Sequence, residues 1–495
     1  YLLPFVLVGL VVLHIWALHA VHSNNPDGID LEEKDTIPFH PYFTIKDFFG
    51  YGVALTIYCY FVFFAPNAFL EPDNYIPANP MQTPPHIVPE WYFLPFYAIL
   101  RSIDFLGPYS KLAGVVAMVA AIAILFVLPF LDRSPVRSFR YRGISKGLFW
   151  IFVVDCFVLG WVGFSPADRM VFGLPIVYIG RTATAVYFGY FFLLWLVTAL
   201  NIEKPKPVPK SLLTEANRMN LKKALALSAL VLGLAVAPQM ATASGNAVEL
   251  PNEEWSHLGP FGKFDKAQIK RGIQVATEVC MGCHSIKYLK FDQLRQFGIT
   301  EDEVNNMAGN YNATKLDKML TGLAPEDAKE SYGTVPPDLS LMTKARKGYE
   351  NYLYGILTGY LTDDEAAKVS EASEDGNVTD EEAKHLAEVL HMDPHNLEAV
   401  RKAVTRINGG DNFNKYFAGH FFAMPKPMGA NQVEYADGTK ATLEQQAKDV
   451  TAFLAWASEP NLEKRKATGK YVILYLLLLT GMLYAVKRRI WSRIH

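Results

Sequence analysis

Cys280-Met281-Gly282-Cys283-His284 is the stretch that decides what the second half of this chain must build. Two thiols two residues apart, with a histidine directly after the second, form the attachment pattern of a c-type haem, in which the histidine ligates the iron. A redox dithiol would leave His284 without a role. A zinc site would need a second ligand pair, and the other cysteines, Cys59 and Cys156, lie alone in apolar runs. The motif therefore predicts one covalently attached haem c.

Hydropathy places several separate stretches of the chain in a membrane. The 495 residues are 51% hydrophobic, with a mean hydropathy of +0.10, and their length favours more than one domain. Apolar stretches long enough, or nearly long enough, to cross a hydrocarbon core are predicted at 1–20, 49–70, 112–131, 148–164, 183–200, 224–237 and 471–486. Between about 244 and 466 the chain has the composition of a soluble domain.

Charge is distributed unevenly along the chain. The net charge is −2, but the region 244–466 is acidic and the segments beside the apolar stretches are basic. This asymmetry favours a basic protein partner and argues against nucleic acid. Basic loops stay in the cytoplasm, so the clusters around 133–146, 204–223 and 487–493 predict that side. The loops 71–111 and 165–182 and the region 244–466 then face outward.

The segment 218–243 has the anatomy of a secretory signal peptide in the middle of the chain. Arg218 and Lys222-Lys223 precede a short apolar core, and Ala241-Thr242-Ala243 has the small residues of a cleavage site. The alternative is one more transmembrane helix. The signal interpretation predicts cleavage after Ala243, which divides the product into two chains, and it predicts export of the region that carries the haem.

The second iron ligand is expected from the stretch FFAMPKPM. Met424 is the preferred candidate, because the prolines on either side of Lys426 keep the backbone extended and could hold a thioether at the haem. Met428 is the alternative. Arg346 could pair with a haem propionate, or it could be an ordinary surface arginine.

The motifs CMGCH, VPPDLS, FAMPKPM and DVTAFLAWASEP, followed by a single C-terminal anchor, resemble cytochrome c1 over 244–495. Cytochrome c1 is the haem c subunit of the cytochrome bc1 complex. The resemblance implies that Cys280 and Cys283 attach the haem, and that His284 and Met424 ligate its iron.

Pro89-Glu90-Trp91-Tyr92 lies in the outward-facing loop 71–111. A carboxylate among aromatic residues and prolines at a membrane edge is a plausible base for a quinol proton. The alternative is an interfacial belt of Trp and Tyr with a solvated glutamate. The tetrapeptide matches the quinol-oxidation motif of cytochrome b. That resemblance implies that Glu90 and Tyr97 line the outer quinol pocket, together with Pro89, Trp91 and Tyr92.

The amino-terminal stretch, with LLPF, HIWALHA and SNNPDG, resembles the fourth helix of cytochrome b. The resemblance implies that His14 ligates a haem b iron, that His19 contacts quinone at the inner site, and that Asp47 supplies it with a proton. Interfacial polar residues are the alternative for His19 and Asp47. The family's second histidine, fourteen positions before His14, would fall before Tyr1. The chain is therefore expected to be a fragment of cytochrome b that holds neither of the two b haems by itself.

The segment 362–400 is rich in Asp and Glu. Its part 371–382 has glycine at position six and glutamate at position twelve of a calcium loop, but position one is Glu371 rather than aspartate. A solvated, acidic helical insertion that helps to attract cytochrome c is the preferred interpretation.

These features predict an all-α protein. A transmembrane bundle over 1–203 is followed by a linker and internal signal peptide over 204–243. A cytochrome c-like helical domain over 244–466 and a C-terminal anchor with a cytoplasmic tail over 467–495 complete the chain.

The expected function is that of a quinol–cytochrome c oxidoreductase subunit coupled to proton translocation. The alternative is a membrane-tethered electron carrier with a non-catalytic scaffold, which would not require Glu90. The resemblance implies as partners the rest of cytochrome b, a Rieske iron–sulfur protein and a soluble cytochrome c, in a dimeric complex. The expected location is the bacterial inner membrane, with the haem c domain in the periplasm.

Overall fold

The computed structural model describes residues 2–21, 25–29, 31–33, 36–78, 81, 87–167, 169–209, 249–372 and 378–494. It divides into two compact units, one formed by 1–39 with 83–245 and the other by 40–82 with 246–495. The signal-like segment 218–243, Ser244 and the middle of the possible calcium loop lie outside the described residues. The two units do not coincide with the four predicted segments, whose limits remain a prediction.

The described residues are mainly helical, which confirms the predicted fold class. Before residue 210 the helices are α1 Leu2–Val21, α2 Phe39–Phe64, α3 Leu94–Ser102, α4 Ser110–Leu131, α5 Gly143–Phe164 and α6 Ile176–Ala199. After residue 248 they are α7 Lys266–Glu278, α8 Glu301–Gly309, α9 Pro325–Tyr332, α10 Tyr349–Thr358, α11 Asp363–Glu371, α12 Asp380–Val389, α13 Leu397–Asn408, α14 Leu443–Ser458 and α15 Leu462–Trp491. The strands form two antiparallel pairs, β1 Met170–Val171 with β2 Leu174–Pro175, and β3 Ile286–Lys290 with β4 Lys318–Met319.

Six helices of the described part are long and apolar enough to cross a membrane, namely α1, α2, α4, α5, α6 and α15. They match six of the seven predicted stretches, and the seventh, 224–237, lies outside the described residues. The predicted span at 49–70 is displaced, because α2 begins at Phe39 and includes the polar pair Lys46-Asp47. It ends at Phe64 because Ala65 precedes Pro66, and a residue before proline disfavours helical backbone.

The short helix α3 packs among α4, α5 and α6 in the first unit. Each long helix presents a glycine where α3 approaches most closely: Gly114, Gly163 and Gly180. A Cβ at Gly163 would lie 2.9 Å from the carbonyl carbon of Leu94, so a side chain would not fit there. Small residues allow membrane helices to approach at this distance. The position of α3, and of the loop that leads into it, is therefore set by three glycines.

A buried ion cluster ties the residues after α6 to the start of α5. Arg142 is almost fully buried and makes two hydrogen bonds to Asp132, at 2.7 and 2.8 Å, and one to Glu203 at 3.3 Å. Glu203 also accepts the backbone N–H groups of Ile144 and Ser145 in the first turn of α5. Burial alone would raise the pKa of Glu203, but these hydrogen bonds lower it. Removing any one partner would leave a buried charge unpaired, which is strongly destabilising.

Helices α2 and α15 pack antiparallel in the second unit. A Cβ at Gly52 would lie 2.6 Å from Thr480 Oγ1, and a Cβ at Gly469 would lie 2.9 Å from the Phe63 ring. Arg465 adds a hydrogen bond from its guanidinium to the Phe63 carbonyl at the end of α2. The C-terminal anchor is thus joined to a helix from the amino-terminal, cytochrome b-like part of the sequence.

Helices α7 and α14 cross closely and form the centre of the soluble core. A Cβ at Gly272 would lie 2.7 Å from the carbonyl carbon of Asp449 and 2.8 Å from the Phe453 Cβ. Beside the crossing, Arg271 forms a bidentate ion pair with the buried Asp449, at 2.9 and 3.2 Å. Since α7 ends at Glu278, this crossing positions the CMGCH turn that follows.

The acidic segment 362–400 is not simply a solvated insertion. Its helices α11, α12 and α13 enclose a small hydrophobic core of their own, formed by Val369, Ala383, Leu386, Ala387, Leu390, Val400, Ala403, Val404 and Phe413. Glu382, the last position of the possible calcium loop, accepts a hydrogen bond from the Thr379 backbone at 2.8 Å as part of a helix cap. The carboxylates lie at helix starts, and the apolar faces point inward.

We predict that Gly272→Ala destabilises the soluble domain, because the new methyl group must displace backbone or the Phe453 side chain. Overpacking of this kind costs about 1–3 kcal/mol. Gly309→Ala is the matched control: its Cβ would meet open space, and alanine is the better helix former. Thermal unfolding of the purified protein, followed by circular dichroism, should show a lower midpoint for Gly272→Ala only. Equal midpoints for the two variants would contradict this account of the crossing.

Candidate functional site

The CMGCH sequence folds into one tight turn directly after α7. Cys280–Gly282 is a 3-10 turn, and the Cys280 carbonyl accepts the backbone N–H groups of Cys283 at 3.1 Å and His284 at 2.9 Å. Both thiols and the imidazole therefore start from a single turn of backbone. Cys283 Sγ lies 3.9 Å from the hydroxyl of Tyr332 at the end of α9.

The environment of the thiols does not suit a redox dithiol. Burial, with a smaller contribution from Cys283, raises the pKa of the Cys280 thiol to about 12. Dithiol oxidoreductases instead lower the pKa of the attacking cysteine, because the thiolate is the nucleophile. Both thiols are free rather than joined in a disulfide.

The His284 imidazole is held in one orientation and one tautomer. Its Nδ1 lies 2.7 Å from the carbonyl oxygen of Pro337, so Nδ1 donates the hydrogen and Nε2 keeps its lone pair. Burial lowers the pKa of His284, and this effect outweighs the raising effects of the Pro337 carbonyl and of Asp338. The lowered pKa favours the neutral form of the ring. A neutral imidazole whose second nitrogen donates to a carbonyl is the usual state of a metal-ligating histidine.

The VPPDLS stretch provides that carbonyl, and its role was missed at the sequence level. Asp338 accepts the backbone N–H of Lys287, and Leu339 donates to the carbonyl of Ser285, at 2.9 and 2.8 Å. These bonds hold the stretch beside β3, immediately after the CMGCH turn. Pro337 has no N–H of its own and contributes only an acceptor. Consecutive prolines followed by aspartate were the available signal, but nothing local indicated which residue they would face.

The two candidate methionines have different environments. Met428 is packed in the main hydrophobic core with 4% of its surface exposed, whereas Met424 is only half-buried. The Tyr360 hydroxyl donates to the carbonyl oxygens of Met424, at 2.9 Å, and Pro425, at 3.3 Å. Tyr360 thereby fixes the backbone that carries Met424, and no sequence motif pointed to it.

A cavity of about 540 Å³ lies between α9 and the stretch before Met424. Its lining residues are Ser331, Tyr332, Arg406, Gly410, Asp411, Asn412, Phe421, Phe422, Ala423 and Pro425. The lining thus includes both the tyrosine that contacts Cys283 and the two chain neighbours of Met424.

Arg346 is half-buried just before α10. Its guanidinium donates to the carbonyl of Ala345 at 2.7 Å and hydrogen-bonds to Tyr352 in the first turns of α10. It is therefore an ordered cation rather than a freely solvated one.

The PEWY tetrapeptide leads into α3. Glu90 is exposed and precedes the 3-10 turn Trp91–Phe93, whose aromatic side chains are also exposed. Tyr97 follows on α3, half-buried, with the Arg101 guanidinium 5.3 Å from its ring centre. Arg101 is anchored to the end of α5 by hydrogen bonds to the carbonyls of Val162 and Ser165, at 2.5 and 2.8 Å.

The contacts of the described residues do not place His14, His19 or Asp47 in a pocket. His14 and His19 are exposed on α1, which buries none of its residues. Asp47 is exposed on α2, which belongs to the other compact unit. The described residues around His14 do not form a haem b pocket, so they do not fit that cofactor by themselves.

Two family models match the chain. The Cytochrome C1 family matches residues 255–494, and the family described as Cytochrome b(C-terminal)/b6/petD matches residues 77–188. Both matches contain the motifs described above, CMGCH in the first and PEWY in the second.

The relatives differ in how much of the chain they cover. Cytochrome b/c1 of Bradyrhizobium diazoefficiens is 40% identical over 529 residues, an alignment that includes 100% of this chain and 71% of that protein. Cytochrome b of Rhodospirillum rubrum is 56% identical over 213 residues, which are 43% of this chain and 50% of that protein. The chain thus spans about half the length of the cytochrome b proteins that it matches. A solved structure described as a hyperthermophilic respiratory Complex III aligns with 40% of this chain and 48% of its own, at 36% identity and a TM-score of 0.36.

Proposed function

This chain belongs to the cytochrome b/c1 family, and we propose on that basis that it is a subunit of a quinol–cytochrome c oxidoreductase. In this role it passes electrons from membrane quinol through a covalently bound haem c to a soluble cytochrome c, coupled to proton translocation. The single observation that carries the proposal is the CMGCH turn, in which both thiols and a tautomerically fixed imidazole start from one turn of backbone.

The residues of the turn fit a haem c. Cys280 and Cys283 would form the thioether bonds, and the Nε2 of His284 would ligate the iron from one side. The bound haem would supply one-electron redox chemistry, while the protein chain would hold its iron ligands in place. The Pro337 carbonyl keeps the imidazole oriented and increases its basicity as a ligand.

Met424 is the proposed ligand on the other side. Its partial exposure beside the 540 Å³ cavity leaves the thioether able to face a haem, whereas Met428 is already used in the hydrophobic core. Thioether opposite imidazole raises a haem's reduction potential, which suits an acceptor of electrons from quinol. The ordered Arg346 guanidinium is the proposed partner of a haem propionate.

Glu90 is the proposed acceptor of a quinol proton. It is exposed at the start of a rigid aromatic turn, where quinol could approach from the membrane edge, with Pro89, Trp91 and Tyr92 as neighbours. Tyr97 is the proposed second polar group of the pocket, on a helix that the three glycines and Arg101 hold in place. A quinol gives up its electrons readily only as its protons leave, so a base within hydrogen-bond reach is needed.

The assignments at the inner side are proposals that rest on the resemblance to cytochrome b. His14 is proposed as a ligand of haem b iron in the assembled protein, and His19 and Asp47 as contacts of quinone. An ionisable residue on a membrane helix is a functional candidate by default.

The proposed setting is the bacterial inner membrane, with the haem c domain in the periplasm. The six apolar helices make the chain a multi-pass membrane protein. The proposed partners are the rest of cytochrome b, a Rieske iron–sulfur protein that delivers electrons to haem c, and a soluble cytochrome c, within a dimeric complex. The contacts of α2 with α15 would keep two chains associated if cleavage occurs after Ala243.

We predict that the haem-bearing polypeptide begins at Ser244 in membranes. The reason is the signal-like segment 218–243 between two recognisable modules. Amino-terminal sequencing of the haem-staining band tests this directly. A band whose sequence still includes residues 200–243 would show that the segment is retained as a membrane helix.

Met424→Leu should keep the haem covalently attached, because the thioether bonds to Cys280 and Cys283 do not involve the iron. The reduction potential should fall by roughly hundreds of millivolts, since axial ligands control it strongly. Redox titration and haem staining on a denaturing gel measure the two effects. Met428→Leu is the matched control and should keep the potential, at a stability cost below about 1.5 kcal/mol. The opposite pattern would transfer the ligand assignment to Met428.

Glu90→Gln, in the assembled complex, should reduce quinol oxidation by roughly 10- to 100-fold, because it preserves shape and removes the basic group. The haem c spectrum should not change, and the pH profile of the remaining activity should lose the limb that belongs to this carboxylate. Asp73→Asn, another exposed acidic position in the same outward-facing loop, should have no such effect. Wild-type turnover with an unaltered pH profile would remove Glu90 from the mechanism.

A further inference from the structure

The acidic insertion is attached to the chain segment that carries Met424. Phe421, three residues before Met424, packs against the small core of α11, α12 and α13. Phe413, which follows α13, is a member of that core and forms an antiparallel bridge with Phe421. The insertion and the ligand segment therefore share one hydrophobic core.

Backbone hydrogen bonds extend this attachment to the neighbours of Met424. Phe422 donates its N–H to the Asn412 carbonyl at 3.3 Å, and the Asn412 side chain donates to the Ala423 carbonyl at 3.4 Å. Asn414 donates its N–H to the carbonyl of His420 at 2.8 Å. The segment 412–423 is thus a narrow antiparallel loop whose final residue adjoins Met424.

Arg406, near the end of α13, joins the two sides of this loop. Its guanidinium carbon lies 3.8 Å from the centre of the Phe421 ring, and its Nε donates to Asp411 at 2.7 Å. Asp411 orients the guanidinium, and the guanidinium covers the face of Phe421. Both charged residues line the cavity that also meets Ala423 and Pro425.

Two separate parts of the domain consequently hold the Met424 backbone. Tyr360 binds the Met424 carbonyl just after α10, while the core of the insertion packs against Phe421 and Asn412, after α13, binds the Ala423 carbonyl. We propose that the insertion is a clamp that keeps Met424 in position to ligate the haem iron, and that Arg406 is its positioning residue. The inference rests on the proposed function, in that it assumes haem at the CMGCH turn with Met424 as a ligand.

A positioned ligand matters because a thioether is a neutral, weakly held ligand that can leave the iron. If the segment before Met424 becomes mobile, a larger fraction of the haem loses this ligand, and both the potential and the access of small molecules to the iron change. The many carboxylates of the insertion do not predict that it holds the Met424 segment, because a charged surface suggests contact with a protein partner. The apolar inner face of the insertion and the guanidinium on Phe421 point to the haem segment instead.

The test compares two arginines on the same helix. Arg406→Leu removes the contact with Phe421 and the ion pair with Asp411. Arg401→Leu removes an ion pair with Asp380 and a hydrogen bond to the Val378 carbonyl, neither of which involves the Met424 segment. The two arginine side chains are similarly exposed, 44% and 39%. Arg406→Lys keeps the positive charge over the ring and should rescue in part. Haem staining and the thermal midpoint show whether each variant is folded.

We expect Arg406→Leu to increase the ratio of haem without methionine ligation to haem with it by roughly two- to five-fold, the equilibrium effect of losing one cation–π contact at an exposed site. The readouts are carbon monoxide binding to the reduced haem, loss of the methionine–iron absorption band of the oxidised haem, and a lower midpoint potential. Arg401→Leu should match the wild type in all three.

Three results would overturn the inference. In the first, Arg406→Leu keeps the wild-type potential and does not bind carbon monoxide, whereas Met424→Leu has a lower potential and binds it. This result would support Met424 as the ligand and refute the clamp. In the second, both arginine variants behave alike, which removes the special role of Arg406. In the third, Arg406→Leu changes only the salt dependence of electron transfer to soluble cytochrome c, which makes the insertion a docking surface. An unchanged potential in Met424→Leu would instead refute the ligand assignment itself.

Discussion

The hydrogen bond between His284 and the Pro337 carbonyl is the interaction on which the geometry of the haem domain depends. Its 2.7 Å length at Nδ1 leaves Nε2 as the nitrogen available to iron, and it can form only if the VPPDLS stretch lies beside the CMGCH turn. Asp338 secures that position by binding the backbone of Lys287. The crossing at Gly272 sets where the turn begins. Together these contacts fix the position and orientation of the His284 imidazole.

Close approach through residues without side chains recurs in the membrane part. Gly114, Gly163 and Gly180 let three long helices approach the backbone or side chains of α3, which carries Tyr97 and continues from the PEWY turn. The aromatic side chains of that turn remain exposed, while Arg101 is fixed to the end of α5. The same packing leaves Glu90 exposed at the start of the PEWY turn.

The acidic insertion shows how far composition alone can mislead about a segment. Its charge indicated solvated helices, yet the apolar residues of α11, α12 and α13 form a small buried core with Phe413. That core continues into the segment before Met424 through Phe421. A net charge describes the outer surface of such a unit and does not reveal what its inner surface contacts. Helix α2 offers a second case, because its apolar run predicted a span but not its pairing with the anchor α15.

The sequence by itself determined the features that depend on near neighbours. The spacing of Cys280, Cys283 and His284 predicts a haem c attachment site. Apolar runs predict the all-α fold and the six membrane-spanning helices found among the described residues. The motifs predict the family, and each of these signals is contained in one stretch of consecutive residues. The tertiary structure decided what depends on distant residues: that His284 meets Pro337, 53 positions away, that Met428 rather than Met424 is packed into the core, and that Arg406 covers Phe421. The helix limits also shifted, because hydrogen bonding continues through polar residues such as Asp47 until a proline interrupts it. Burial and long-range contact arise only when the chain has folded, so no local pattern could have specified them.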